Sequence, residues 1–251
     1  MNDNVILKVD NLNTEFILDN NKRLQIIKNV SFNVYKGKML AIVGESGCGK
    51  SVTACSIVRL LGKNGHTYDS SITFMPSNGK TYHLDALAPY GKEIRSLRGK
   101  YIGMIFQDSS LSLNPVQTVG KQVMENLMEH ENITKSDAKI RVIEMFKELG
   151  IPDPESRFNN YPFQFSGGMR QRVMIAIAMI CNPDLIIADE PTTALDVTIQ
   201  AQTIEYMKKL QTELGKTIIL ITHNMGIVAE SADYVMVMYM GRMVEYGSVE
   251  Q

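Results

Sequence analysis

The stretch Gly44-Glu45-Ser46-Gly47-Cys48-Gly49-Lys50-Ser51, followed by Val52, fits the pattern GxxxxGK[ST]. Glycines at those spacings let successive backbone N–H groups curl around phosphate oxygens, and a following helix adds its positive N-terminal end. Lys50 then neutralises β- and γ-phosphates, and the Ser51 hydroxyl ligates Mg²⁺. A merely Gly-rich turn would need neither the buried strand before it nor the helix after it. A second group is Leu185-Ile186-Ile187-Ala188-Asp189-Glu190, an apolar run ending in two carboxylates. Asp189 is suited to hold Mg²⁺ opposite Ser51, and Glu190 to orient and deprotonate a water attacking the γ-phosphate. A third is Phe165-Ser166-Gly167-Gly168-Met169-Arg170-Gln171-Arg172. Its glycine pair opens a helix, which makes a second backbone anion site with the Ser166 hydroxyl as an added donor. Ser-Gly-Gly can also simply cap a helix, but capping does not explain two phosphate cradles in one chain.

These groups need rigid elements to hold them. Met39–Val43 is wholly apolar, as expected of a strand buried on both faces, and runs directly into the phosphate loop. Helical spacing follows from Val52 to Leu61. Val5–Val9 alternates into Leu12 and Phe16, and Ile26–Val34 reads as a second strand after the turn at residues 19–22. Residues 62–105 are mixed, with short strands such as Ile72–Met75 and Gly103–Phe106, and read as an antiparallel add-on. Val119 to Gly150 is helical, broken by Ile151-Pro152-Asp153-Pro154. A helix follows Ser166 as far as Ile180. Leu185–Ala188 and Thr217–Thr222 read as buried strands, Thr198–Leu214 as an amphipathic helix, and Tyr234–Tyr239 with Met243–Tyr246 as a hairpin turned by Gly241-Arg242. Alternating strands and helices imply a parallel sheet covered on both sides.

Composition removes whole classes. With 251 residues, 44% hydrophobic and 21% charged, the chain is long enough for a sizeable core and is not disordered. Against 27 acidic side chains stand 26 basic ones, so there is no electrostatic case for nucleic acid. The longest apolar run, Val173–Cys181, has nine residues where a membrane span needs roughly 20. Met-Asn-Asp-Asn does not open a signal peptide. Cys48, Cys55 and Cys181 cannot all pair and show no CxxC spacing, which fits a reducing compartment. The expectation is a soluble chain on the cytoplasmic side.

Taken together and in order, these motifs resemble the ATP-binding subunit of an ABC transporter, along essentially the whole chain. The family's Q-loop glutamine corresponds to Gln107, after the strand Ile102–Phe106. Its Leu-Ser-Gly-Gly-Gln signature corresponds to Phe165–Met169, its D-loop to Ala194-Leu195-Asp196, and its switch histidine to His223. The resemblance implies that Gln107 senses Mg²⁺ and the γ-phosphate and touches the membrane partner, joining Ser51 and Asp189 around the metal. It implies that His223 hydrogen-bonds the γ-phosphate and keeps the water against Glu190. Phe16 either stacks on adenine or packs as a core aromatic. The signature departs from the family in Phe165 and Met169, so the glutamine contact is absent while Ser166, Gly167 and Gly168 remain. Met169 and Val52, with Arg98-Gly99, Ser112-Leu113-Asn114-Pro115 and Pro191–Thr198, resemble the oligopeptide, dipeptide and nickel importer branch.

The implied fold is α/β: a P-loop NTPase of the ABC ATPase cassette type, with a mixed sheet core, an antiparallel β add-on and a helical subdomain. Residues about 1–106 and 182–251 would form the core, and about 107–181 the helical subdomain, in one nucleotide-binding domain spanning 1–251. The implied ligands are ATP and Mg²⁺. Two such domains would face head to tail, each ATP lying between one chain's Lys50 and Ser51 and the other's Ser166–Gly168. The partners would be an identical or sister ATPase subunit, two transmembrane permease subunits and, indirectly, an extracytoplasmic solute-binding protein. The cargo would be short peptides, with nickel or a metal chelate as the alternative. Members of this branch commonly continue past the equivalent of Gln251. A DNA-repair ABC ATPase would carry coiled-coil heptads within 52–165, a translation-type protein a second cassette, and a P-loop kinase no 165–172 element.

Overall fold

The computed structural model describes residues 4–19, 21–107, 112–192 and 197–249. They fall into two compact units, one of residues 1–95 with 204–251 and one of residues 96–203.

In the first unit, β1 (Val5–Ile17) and β2 (Arg23–Tyr35) form a long antiparallel pair. β4 (Gly65–Tyr68) and β5 (Ser71–Phe74) add to β1, and β6 (Tyr82–His83) adds to β5. The β1–β2 pairing is bulged, because Asn11 sits in the left-handed region at φ 52°. Asn13 is only 4% exposed, and its polar atoms are satisfied locally. Its Oδ1 accepts from the Asn29 N–H at 3.1 Å, and its Nδ2 donates to the Asn11 carbonyl at 2.8 Å.

β3 (Met39–Gly44) lies parallel to and between β9 (Thr217–Ile221) and β10 (Tyr234–Tyr239), and β11 (Arg242–Ser248) closes the edge antiparallel to β10. Met39 to Val43 are buried, which accounts for the unbroken apolar run. Helix α8 (Met225–Ser231), capped by Asn224, packs Val228 and Ala232 onto Ala41 and Val43 of β3. Helix α1 (Lys50–Ile57) is shorter than the spacing through Leu61 predicts. Arg59 turns left-handed at φ 57° and the Leu60 N–H reaches back to the Cys55 carbonyl, which ends the helix. The hairpin turn is Met240-Gly241, both at positive φ, one residue earlier than Gly241-Arg242. Two consecutive left-handed residues match the right-handed twist of the flanking strands.

In the second unit, β7 (Ile102–Ile105) runs parallel to β8 (Leu185–Asp189). This corrects the reading of 103–106 as part of an antiparallel add-on: a four-residue apolar run carries no period that tells the two apart. The helical stretch from Val119 is two helices, α3 (Val119–His130) and α4 (Lys135–Glu148), each presenting a buried stripe. Thr134 caps α4 by accepting from the Asp137 N–H, which is why the chain restarts there. A single turn, α5 (Pro154–Arg157), precedes α6 (Gly167–Met179). α6 lies so close to β7 that a Cβ on Gly103 would stand 2.4 Å from the Ala178 carbonyl oxygen. α2 (Lys92–Leu97) and α7 (Val197–Thr212) complete the helices described.

The start of β3 is held by one carboxylate. Asp233 accepts from Lys38 Nζ at 2.8 Å, from the Met39 N–H at 2.8 Å and from Gln211 Nε2 at 2.6 Å. Burial pushes the Asp233 pKa up, but these donors outweigh it and hold it below the usual carboxylate range. A depressed folded-state pKa means the stabilisation is complete above the unfolded-state value and disappears as pH falls through the folded-state value. Asp233→Asn should therefore cost about 1–2 kcal/mol in urea unfolding at pH 7. Repeated at successively lower pH, below the usual carboxylate range, the same comparison should show that gap shrinking.

Candidate nucleotide site

The phosphate loop is shaped by three left-handed glycines: Gly44 at φ 148°, Gly47 at 79° and Gly49 at 109°. At two of them the fold has no room for a side chain. A Cβ on Gly44 would stand 2.2 Å from the Met238 carbonyl oxygen, and one on Gly49 would stand 2.5 Å from Ile27 Cδ1. At Gly47 nothing lies within 4 Å, so only its dihedral demands glycine there. Lys50 is 5% exposed and donates to the carbonyl oxygens of Gly44 at 2.9 Å and Glu45 at 3.0 Å. Those oxygens carry no charge to neutralise the ammonium, so the loop holds a buried cation that suits a polyanion. Cys48 is buried, with Sγ filling the space behind Gly44, which makes it packing for the loop.

Sequence reasoning missed what supports this loop from behind. The Gly241 N–H donates to the Cys48 carbonyl at 3.0 Å, and the Gly241 carbonyl accepts from the Lys28 N–H at 2.8 Å. A Cβ on Gly241 would stand 1.8 Å from the Ile26 carbonyl oxygen. Met238 backs Gly44 and also meets the Thr53 hydroxyl through Sδ at 3.7 Å. The glycine in the expected hairpin turn was the only visible signal of this role. Phe16 is half-buried on β1, with its ring edge over Gly65: a Cβ there would lie 3.0 Å from Phe16 Cε1. His223 is exposed just past β9, next to the Asn224 cap of α8.

The second unit brings together two residues 83 positions apart in sequence. Parallel pairing sets Ile105 level with Ala188, so Gln107 and Glu190 emerge side by side two residues further on. Gln107 Nε2 donates to Glu190 Oε2 at 2.9 Å. Asp189 is 5% exposed at the end of β8. Glu190 sits at φ 45° immediately before Pro191, a left-handed residue that costs about 1–2 kcal/mol. Such strain is kept where it aims a functional group. Ser166 caps α6, accepting from the Met169 N–H at 3.3 Å, which leaves its own O–H as a donor. Gly167 is inside the first turn of α6, and a Cβ there would meet only the tip of Arg170, at 3.9 Å. Among the described residues nothing crowds that position, so their packing does not require glycine there. Asp196 and the rest of the expected D-loop, residues 194–196, lie outside the described residues.

Within the first unit, a buried strand running into a glycine-shaped loop around a buried lysine is the arrangement of a P-loop. The sequence profile described as ABC transporter matches residues 27–193. The chain belongs to the ABC transporter family. It is 49% identical over 243 residues to the dipeptide transport ATP-binding protein DppD of Bacillus subtilis (strain 168), covering 97% of this chain and 70% of that one. It is 52% identical over 229 residues to the oligopeptide transport ATP-binding protein OppD of the same strain, covering 91% of this chain and 62% of that one. It therefore spans about two thirds of these relatives. Among solved structures, the dimeric post-hydrolysis state of the ATP-binding cassette MJ0796 bound to ADP and Pi matches with a TM-score of 0.85. That match is 26% identical and covers 98% of this chain and 100% of the other. The α/β cassette fold and the peptide-importer resemblance read from the sequence are both borne out.

The support behind the loop gives a direct test. Gly241→Ala should lower thermal stability and weaken ATP binding at least tenfold in equilibrium titration. Gly79, also left-handed at φ 75° but with open space around it, is the control. Gly79→Ala should lose only backbone strain, about 1 kcal/mol, and leave ATP affinity unchanged.

Proposed function

We propose that this chain is the ATP-hydrolysing subunit of an importer for short peptides, working at the cytoplasmic face of the membrane through separate permease subunits. The observation that carries the reading is the Gln107–Glu190 contact at the end of β8, beside the buried Asp189. ATP phosphates are held by the N–H groups of residues 44–51 and by Lys50. The donors around the metal, the Ser51 hydroxyl, the Asp189 carboxylate and the Gln107 amide oxygen, are hard oxygens of the kind Mg²⁺ prefers. When bound, Mg²⁺ would offset the charge that builds up on the transferred phosphoryl group. Glu190 orients the attacking water and takes its proton, and His223 holds that arrangement at the γ-phosphate. Phe16 stacks on the adenine.

The glycine at 167 is explained if its ligand comes from outside the chain. Ser166, Gly167, Gly168 and Met169 would face a nucleotide bound by a second cassette, identical or sister, with Asp196 at the same interface. ATP then joins the two subunits, and loss of the γ-phosphate loosens them. We assign the core to residues about 1–106 and 182–251 and the coupling helical subdomain to about 107–181. Among the described residues no helix is long and apolar enough to cross a membrane, in keeping with a motor that acts through other subunits. A solute-binding protein would deliver the cargo to the permeases from the far side. The relatives named above transport dipeptides and oligopeptides, which favours peptides over nickel.

Glu190→Gln provides the test. ATP turnover should fall by at least a hundredfold while ATP affinity stays within about threefold, since general-base loss typically removes 10²–10⁴ in rate. Undiminished hydrolysis would exclude Glu190 as the base.

A further inference from the structure

Away from the nucleotide loop, the first unit has a cleft of about 170 Å³ between the end of α1, β4 and the segment around Pro89. Its lining includes Arg59, Lys63, His66, Thr67 and Tyr90, with Leu61 and Pro89 as apolar wall. We propose that this cleft binds a phosphate monoester carrying a flat ring, the chemistry of a nucleoside monophosphate, as a site separate from the ATP loop.

Several observations converge on that ligand. Arg59, Lys63 and His66 all line the cleft and carry N–H donors, and a guanidinium fork suits a tetrahedral oxyanion. Arg59 is held half-buried in a left-handed conformation at φ 57°, an arrangement that costs energy in a non-glycine residue. Burial pushes its pKa down, and the nearby Asp85 carboxylate pushes it back up. One acidic neighbour therefore offsets part of the positive charge, and Lys63 adds to what remains. The Thr67 hydroxyl is buried with no hydrogen-bond partner among the described residues, a position that a ligand oxygen or a water would satisfy. Tyr90 is 71% exposed, unusual for a large aromatic, and it stands at the rim of the cleft where a ring can stack on it. A basic residue after α1 could serve only to complement the helix C-terminus. That role accounts for Arg59 but not for Lys63, Thr67 and Tyr90 around the same space.

The whole chain, with its phosphate loop saturated by ADP, is titrated with AMP and separately with inorganic phosphate by calorimetry. One further equivalent of AMP should bind, and inorganic phosphate should compete with it. Arg59→Gln and Lys63→Gln should each weaken AMP at least fivefold, and Tyr90→Ala should weaken AMP at least threefold while leaving phosphate unchanged. ADP affinity should stay within twofold throughout. Lys63 and Tyr90 are exposed, so their variants keep the test valid even if Arg59→Gln fails to fold. The proposal is overturned if no AMP binds beyond the ADP site or if Lys63→Gln and Tyr90→Ala leave binding unmoved. It is equally overturned if phosphate binds as tightly as AMP, because the ring then contributes nothing.

Discussion

A backbone that wraps a polyanion must turn its N–H groups inward, and that geometry leaves no room for ordinary side chains or dihedrals. The positive φ values at Gly44, Gly47 and Gly49 follow from this one constraint. So does the packing behind them. A loop bent this far from the common backbone wells holds its shape only when neighbours over-determine it. Met238, Gly241, Ile27 and the Cys48 thiol supply that confinement, and strands β2, β3 and β10 carry them there.

The second unit meets a different demand with the same means. The carboxylate proposed as the base has to be aimed, and the strain at Glu190 together with the hydrogen bond from Gln107 fixes its direction. The accuracy comes from parallel pairing of β7 and β8, whose register makes two distant residues level with each other. Gly167 is the counterpart in the same unit: a glycine that the packing of the described residues does not call for.

The parts of the site that were legible in the sequence are those whose chemistry must be contiguous. A phosphate loop needs glycines and a lysine at set spacing, so residues 44–51 are legible directly, and a glycine pair opening a helix marks 165–169 as a candidate second anion site. Asp189 and Glu190 could be read because a buried strand ends on them. The Gln107–Glu190 contact was reachable only through family resemblance, since no local spacing relates residues 83 apart. The backing role of Gly241 was invisible, because a turn glycine looks the same whether or not another loop leans on it. Apolar spacing continues past Ile57 and so predicts a longer α1, while Arg59 leaves helical geometry at φ 57°, which spacing does not record.

Cys48 and Gly241 meet through one backbone hydrogen bond but stand far apart in the sequence. On a ribosome adding roughly 5–20 residues per second, the loop is made on the order of ten seconds or more before its backing. Through that interval the glycines that will later be confined are free to sample many conformations, and an early loop has little to hold phosphate with. Competence to bind nucleotide thus waits on residues made well after the loop itself. The most recognisable motif takes its working shape only once the hairpin behind it has been synthesised.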